Sequence, residues 1–238
     1  MYRCQAAMGL AELLCVSPDA ARLGVRVGYA IFSGPPAEKY PEGWDSIVDN
    51  MVGLLRAKYS LDSLKNDPRV SAYRKFYWRI GIDPTKTRPS SEALVRRALR
   101  GKWPRISPIV DAGNIASALY MIPIGLYDMD SFTPPACIRI SRGGEVFHAI
   151  GGKDETVPEG VPIMVDGRGI VMHLYPHRDS RITMVRPSTT RILAVSAGVP
   201  GVPVEDLKGV LYKLEELLSL LSWKRVGPVR LAPEEATG

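Results

Sequence analysis

Residues 136–195 read ACIRISRGGEVFHAIGGKDETVPEGVPIMVDGRGIVMHLYPHRDSRITMVRPSTTRILAV. The apolar runs in this stretch are short, and Gly, Pro or Asp separates each from the next. Runs of this kind, bounded by turn residues, predict β-strands: ACIRIS, EVFHAI, VPIMVD, GIVMHLY and TRILAV. The Asp166-Gly167 pair between two of them is a hairpin signal, since both residues suit a tight turn. The stretch therefore predicts a mainly antiparallel sheet.

On the amino-terminal side the pattern turns helical. Residues 44–59 place Ile47, Met51, Leu54, Leu55 and Lys58 at helical spacing. Asp67-Pro68 reads as a helix start, with aspartate as cap and proline in the first turn, and that helix ends near Gly81. A further helix begins at Pro89-Ser90, with Ser90 as an ordinary cap, and stops at Gly101; its apolar face is Leu94, Val95, Ala98 and Leu99. Residues 109–122, IVDAGNIASALYMI, form a small-residue helix with Asp111 and Asn114 on one face. Before all of these, residues 22–32 alternate around Val25, Val27 and Tyr29 and predict a strand. After the sheet, Pro203 opens an amphipathic helix, VEDLKGVLYKLEELLSLL. Its seam of Val204, Leu207, Leu211, Leu214, Leu218 and Leu221 either packs on the chain's own sheet or forms a homodimer contact through 203–223. Helices in the middle and strands in the second half place the chain in the α+β class.

Composition bounds the function. The chain has 238 residues and is 45% hydrophobic, which excludes a wholly disordered protein. No run approaches the ~20 apolar residues of a membrane span. The start, MYRCQAAMGLAELLCV, is interrupted by Glu12 and lacks the form of a secretory signal, so a cytoplasmic protein is expected. Cys4, Cys15 and Cys137 are too few and scattered for a disulfide framework or a zinc site, and Cys15 and Cys137 read as small apolar core residues. No GxGxxG opens a helix, GGKDET at 151–156 lacks P-loop spacing, and there is no GxSxG elbow. Neither cofactor nor metal is expected. His173 and His177 stand four apart, but on a strand that spacing spans ~13 Å. His148 reads as structural.

The charge is uneven. Formal net charge is +6, yet residues 73–105 alone hold ten Lys and Arg against only Asp83 and Glu92. Tyr73, Phe76, Tyr77, Trp78 and Trp103 are interleaved with them. Such a stretch is either a track for an RNA backbone or a solvated helix face over an aromatic core. Glu92 and Arg96, at i and i+4, should pair in either case.

Five blocks carry a family likeness: VSPDAARLGVRVGYAIFSG (16–34), GIDPTKTRPSSEALVRRALRG (81–101), PRISPIVDAGNIASALYMIPIGLYDMD (104–130), IRISRGGEVFHAIGG (138–152) and HRDSRITMVRPSTTRILAV (177–195). In this order they resemble the B3/B4 domain of the phenylalanyl-tRNA synthetase β subunit. That domain is an editing module that hydrolyses wrongly charged aminoacyl-tRNA. The resemblance implies a B3/B4-like domain over 1–200, with 201–238 as a helical extension packed on it. No synthetase catalytic core accompanies it, so a free-standing, trans-acting editing hydrolase is implied. The alternative is a non-catalytic tRNA-binding module that acts with a partner protein.

The resemblance also implies site residues. The family's histidine in the block matching IPIGLYD is replaced here by Gly125 or Leu126. The family's recognition glutamate falls closest to Asp179. Asp179, Ser180 and Asn114 are then the candidate catalytic residues. Gly125, Tyr127, Asp128, His177 and Arg178 are candidate substrate contacts, with Tyr127 a possible stacking partner for adenine and Arg178–Asp179 otherwise a surface ion pair. Arg88, Arg96, Arg97, Arg100, Lys102 and Arg105 are candidate contacts for the tRNA acceptor end, the expected partner, and the RPSSE helix start could receive a phosphate. An aminoacyl ester is labile, so such a site needs a positioned water and oxyanion donors and no dedicated triad.

Overall fold

The computed structural model describes residues 13–234. Cys4 and most of the amino-terminal segment read above lie outside the described residues, as do residues 235–238. In chain order the elements are β1 (Leu14–Val16), α1 (Pro18–Arg22), β2 (Arg26–Ser33), α2 (Trp44–Lys58), a 3₁₀ turn (Ser63–Asn66), α3 (Pro68–Arg79), α4 (Ser90–Leu99), α5 (Pro108–Tyr120), β3 (Ile124–Asp128), β4 (Ala136–Ile140), β5 (Val146–His148), β6 (Asp154–Thr156), β7 (Pro162–Val165), β8 (Val171–Leu174), β9 (Arg178–Asp179), β10 (Arg191–Gly198), α6 (Val204–Ser219) and β11 (Lys224–Ala232). The fold is α+β, as the pattern predicts.

Local chemistry sets several boundaries. Asp67 Oδ1 accepts from the Arg69 and Val70 amides at 2.9 and 3.4 Å, and Pro68 fills the first position of α3, where an N–H would have no partner. Gly101, at φ 69°, ends α4, and the Lys102 amide donates back to the Arg97 carbonyl at 2.8 Å. Asp166-Gly167 does join β7 to β8: the Asp166 amide donates to Ile170 O, and Asp166 Oδ1 accepts from the Arg168 and Ile170 amides. The start of α4 differs from expectation. Pro89 takes the cap position with no side-chain cap bond, and the Ser91 hydroxyl donates instead to Met121 O at 3.2 Å.

Among the described residues there are two sheets, not one. A seven-stranded sheet runs β1-β4-β7-β8-β5-β6 with β9 paired to β8, and a four-stranded sheet runs β11-β2-β10-β3. Pairing is antiparallel except for β1 with β4 and β5 with β8. β2 and β10 are buried almost end to end, because each has both faces covered. The leucine seam of α6 lies over one face. Leu207, Leu211, Leu214 and Leu218 are buried there, each removal from water contributing about 1.5–3 kcal/mol. The seam is therefore used inside the chain, and the homodimer reading loses its apolar contact. Gly28 permits the close approach: a Cβ there would stand 2.6 Å from Ser196 Oγ and 3.0 Å from Leu207 O. The other face meets the larger sheet, where Tyr175 donates to Gly198 O and Arg26 O at 2.6 and 3.2 Å.

Three further readings need correction. Leu54, placed on the apolar face of α2, is 64% exposed; Trp44, Met51 and Leu55 make the buried face instead. Residues 224–232 form a strand, where the resemblance implies a helical extension over 201–238. Gly227 and Pro228 sit where the register of β11 shifts between Val226 and Arg230, and an edge strand accepts proline at such a bulge. Cys15 and Cys137 are not separate core fillers. The parallel register of β1 on β4 sets them opposite each other, with Cα atoms 4.6 Å apart, and they are joined in a disulfide. The bond closes a loop of 122 residues. Cys15→Ala is expected to lower unfolding stability by roughly 2–4 kcal/mol. Urea midpoints with and without reductant check this: reductant should shift the parent protein and leave the variant unmoved.

Candidate functional site

The turn after β8 brings the polar residues together. Pro176 follows Tyr175 and forces the chain back, so β9 pairs with β8 and Asp179 falls opposite His173. His173 Nδ1 and Asp179 Oδ1 are 2.8 Å apart. Tyr127, on β3 of the other sheet, donates its hydroxyl to the same oxygen at 2.9 Å. Asp179 thus joins the two sheets through one carboxylate oxygen. Its other oxygen, Oδ2, has no hydrogen-bond partner among the described residues, and its side chain is 31% exposed. With Oδ1 accepting, the imidazole proton sits on Nδ1 and His173 Nε2 presents a lone pair. Burial first, and the Asp179 charge second, push the Tyr127 hydroxyl well above its ordinary value, so it remains a donor.

A cavity of about 10 Å³ lies against this cluster, lined by residues of both sheets that include Gly125, Tyr127, His173, Tyr175 and Met164. It has room for about one water. Gly125 is what lets Tyr127 reach its position: a Cβ there would lie 2.0 Å from the Tyr127 hydroxyl.

Of the residues named from sequence, Asp179, Tyr127 and Gly125 are brought together, and the others are not. Tyr127 is 1% exposed, so it is a core aromatic with a paired hydroxyl and offers no stacking face. Ser180 is fully buried, its Oγ accepting from the Ile182 amide at 3.2 Å. Asn114 is on α5, half-buried, with no bond to the cluster among the described residues. Asp128 is tied into its own turn, accepting from the Asp130 amide at 3.0 Å and the Thr189 hydroxyl at 2.6 Å. Arg178 pairs with Glu155 at 2.7 and 2.6 Å, not with Asp179.

His177 points away from the cluster and packs edge-on against Tyr77, ring centroids 5.8 Å apart. Burial, helped by the Arg178 charge, pushes its imidazole down to about 3. Its Nδ1 is buried without a partner among the described residues. The folded state keeps this ring neutral, while the unfolded chain protonates it below its ordinary 6.5. Between those values the unfolded state holds more protons, so stability falls as pH drops through that window. His177→Phe keeps the ring contact and is expected to flatten that acid limb, read from urea midpoints at pH 7 and pH 5.

His173 is the residue that sequence reasoning missed. The sequence weighs it only as a metal ligand four residues from His177, and the strand spacing argues against that pair. Folding the run about Pro176 would have set positions 173 and 179 opposite each other. Among the described residues, no group of three or more His, Cys, Asp and Glu is placed to hold a metal ion. Nor is any described helix long and apolar enough to cross a membrane.

The basic track is also divided. Glu92 is fully buried and receives Arg74 at 2.9 and 2.6 Å and Arg96 at 2.7 Å, with Arg88 at 4.0 Å. Arg105 pairs with Asp45 and lies over the Tyr40 ring, 4.2 Å from its centroid. Arg96 is therefore committed inside the protein, and Arg105 to a surface pair with Asp45. Arg97, Arg100 and Lys102 are exposed and have no carboxylate partner among the described residues. The helix start at RPSSE carries an acid, Glu92, in its first turn, and the oxygens of that acid accept from Arg74 and Arg96.

No curated protein matches the chain. A solved structure, an N-terminal fragment of the phenylalanyl-tRNA synthetase beta-subunit from Pyrococcus horikoshii, is similar at 16% identity and a TM-score of 0.47. The likeness covers 92% of this chain and 50% of that one, so the chain spans about half the length of that fragment. A family model described as the B3/4 domain matches residues 72–212, which hold α4, α5, both partners of the Asp179–His173 pair and Tyr127. With more than half of its length under that match, the chain belongs to the B3/4 domain family.

Proposed function

We propose that this chain hydrolyses the ester of mischarged aminoacyl-tRNA, with His173 and Asp179 as its polar centre. The observation that carries the reading is the shared Asp179 oxygen, which fixes Tyr127 and His173 and leaves Asp179 Oδ2 and His173 Nε2 without partners among the described residues. Such a pair can take a proton from water at Nε2 while the carboxylate holds the imidazole in the right tautomer. The water oxygen bonds to the ester carbonyl carbon, and the ester C–O bond breaks. The proton passes to the released ribose oxygen, giving free amino acid and tRNA. Asp179 Oδ2 is the acceptor for the amine or a polar side-chain group of the wrong amino acid. The exposed Arg97, Arg100 and Lys102 neutralise phosphates of the acceptor end.

Membership of the B3/4 domain family supports a tRNA-related role, since the sequence blocks resemble that domain of the phenylalanyl-tRNA synthetase β subunit. One observation favours the second reading, a tRNA-binding module without catalysis. The cavity at the cluster, about 10 Å³, holds no amino-acid side chain unless the two sheets part. A deacylation assay over a panel of charged tRNAs separates the two. The first reading expects at least one mischarged tRNA to lose its amino acid faster than in buffer. Survival of every charged tRNA with salt-dependent binding retained supports the second.

A further inference from the structure

Trp78, in the last turn of α3, is 60% exposed, although tryptophan is highly buried on average in folded proteins. Of the four tryptophans it is the only exposed one: Trp44 and Trp223 are buried and Trp103 is half-buried. The helix explains the position. Phe76 and Tyr77 turn inward onto Tyr175 and His177, with ring centroids 6.3 and 5.8 Å apart. Trp78 follows about 100° further round the helix and faces out.

Its surroundings on the helix are cationic. Arg74 and Lys75 stand one turn back, and Arg79 is next in the chain. Arg74 is taken by Glu92. Lys75 is exposed with no partner among the described residues. Arg79 is exposed too, and gives one N–H to Leu23 O at 3.2 Å. Neither Asp nor Glu occurs between residues 68 and 82. Asp83, the next acid along the chain, is held in its own turn, accepting from the Thr85 amide and hydroxyl at 2.8 and 2.7 Å.

These features narrow the partner. A cationic group would meet Lys75 and Arg79 with no acid of α3 to receive it. A purely apolar surface would cover the indole and desolvate the two cations without pairing them. A flat ring joined to an anionic backbone satisfies both, and single-stranded nucleic acid is built that way: its bases stack on aromatic side chains while cations follow its phosphates. A duplex is not, because its bases are already stacked on each other. The place agrees with the candidate site. Tyr77, the residue before Trp78, touches His177, and His177 stands two residues before Asp179.

We infer that Trp78 is a stacking platform for one base of the unpaired acceptor strand of the tRNA, with Lys75 and Arg79 on the phosphates beside that base. The inference rests on the RNA-binding part of the proposed function and not on its chemistry. The test uses the full chain and two probes, the tetranucleotide ACCA and the same backbone without bases. ACCA is expected to bind about tenfold tighter than the abasic strand, the scale of one base–aromatic stack. It should also shield tryptophan fluorescence from acrylamide, because Trp78 is the exposed indole. The surface change Trp78→Leu should erase the tenfold preference and leave the abasic strand bound as before. Lys75→Ala should weaken both probes alike and lower the slope of log K against log salt by about one. Circular dichroism verifies that the variants fold. Equal binding of the two probes by the parent, or a preference that Trp78→Leu retains, overturns the inference. A glutamate-rich peptide that shields Trp78 as well as ACCA does overturns it, as does a parental dimer that Trp78→Leu converts to monomer. If mischarged tRNA is deacylated by parent and Trp78→Leu alike while ACCA shows no preference, the platform fails and the editing reading stands. A preference for ACCA that Trp78→Leu loses, without any deacylation by the parent, supports the platform and defeats the editing chemistry.

Discussion

Asp179→Asn is expected to slow deacylation of the mischarged tRNA by roughly 10²- to 10³-fold, the scale of losing an oriented acid–base partner. The carboxylate holds two donors on one oxygen, at 2.8 Å from His173 Nδ1 and 2.9 Å from Tyr127 Oη. An asparagine amide in that place can turn its NH₂ toward His173. The imidazole then carries its proton on Nε2, and the lone pair that would accept a water proton is gone. The change removes a charge but not volume, so the sheets should keep their packing. Single-turnover kinetics over a range of enzyme concentration read the result. A fall in the maximal rate with unchanged half-saturation supports the base role. Weaker half-saturation at an unchanged maximal rate assigns Asp179 to recognition of the substrate amine instead. A rate equal to the parent's removes Asp179 from the site.

Glu92→Ala should produce the largest loss of stability. Glu92 is 0% exposed, and its two oxygens hold Arg74 and Arg96, whose side chains are 22% and 14% exposed. Removing the acid leaves two partly buried guanidinium groups without their shared partner. The expected cost is about 3 kcal/mol, at the lower end of values for breaking a buried pair because both arginines retain some water. Glu92→Gln, which keeps an acceptor, should cost less. Burial acts to raise the Glu92 carboxyl, but the hydrogen bonds from Arg74 and Arg96 outweigh it, and the net direction is downward. A lowered carboxyl stabilises the fold above the ordinary carboxylate range, and that contribution disappears as pH falls through the lowered value. Urea midpoints of parent and variant should therefore converge in acid.

The same acid decides which arginines can reach RNA. Arg96→Ala should behave mainly as a stability variant, with the salt dependence of RNA binding little changed. Arg97→Ala and Arg100→Ala should each weaken binding and lower the slope of log K against log salt by about one. Filter binding at several salt concentrations checks this.

From the linear sequence, local features could be read with good result. Asp67-Pro68, Gly101 and Asp166-Gly167 act through hydrogen bonds and backbone angles within a few residues, so their chemistry is complete in the sequence around them. The alternating apolar runs likewise announced the strands, and the leucine seam announced a buried face for α6. Groups far apart in the chain were a different matter. The Cys15–Cys137 bond depends on the parallel register of two short strands, and β11 on a bulge around Gly227-Pro228. The basic stretch looked uniform until packing gave Arg74 and Arg96 to Glu92 and left Arg97 and Arg100 in water. The site itself shows the division most clearly. Sequence determined that Asp179 is an acid just past a proline turn. Tertiary structure alone decided that its partners are His173, across the hairpin, and Tyr127, from the other sheet, because register and the meeting of two sheets set which polar groups come within 3 Å.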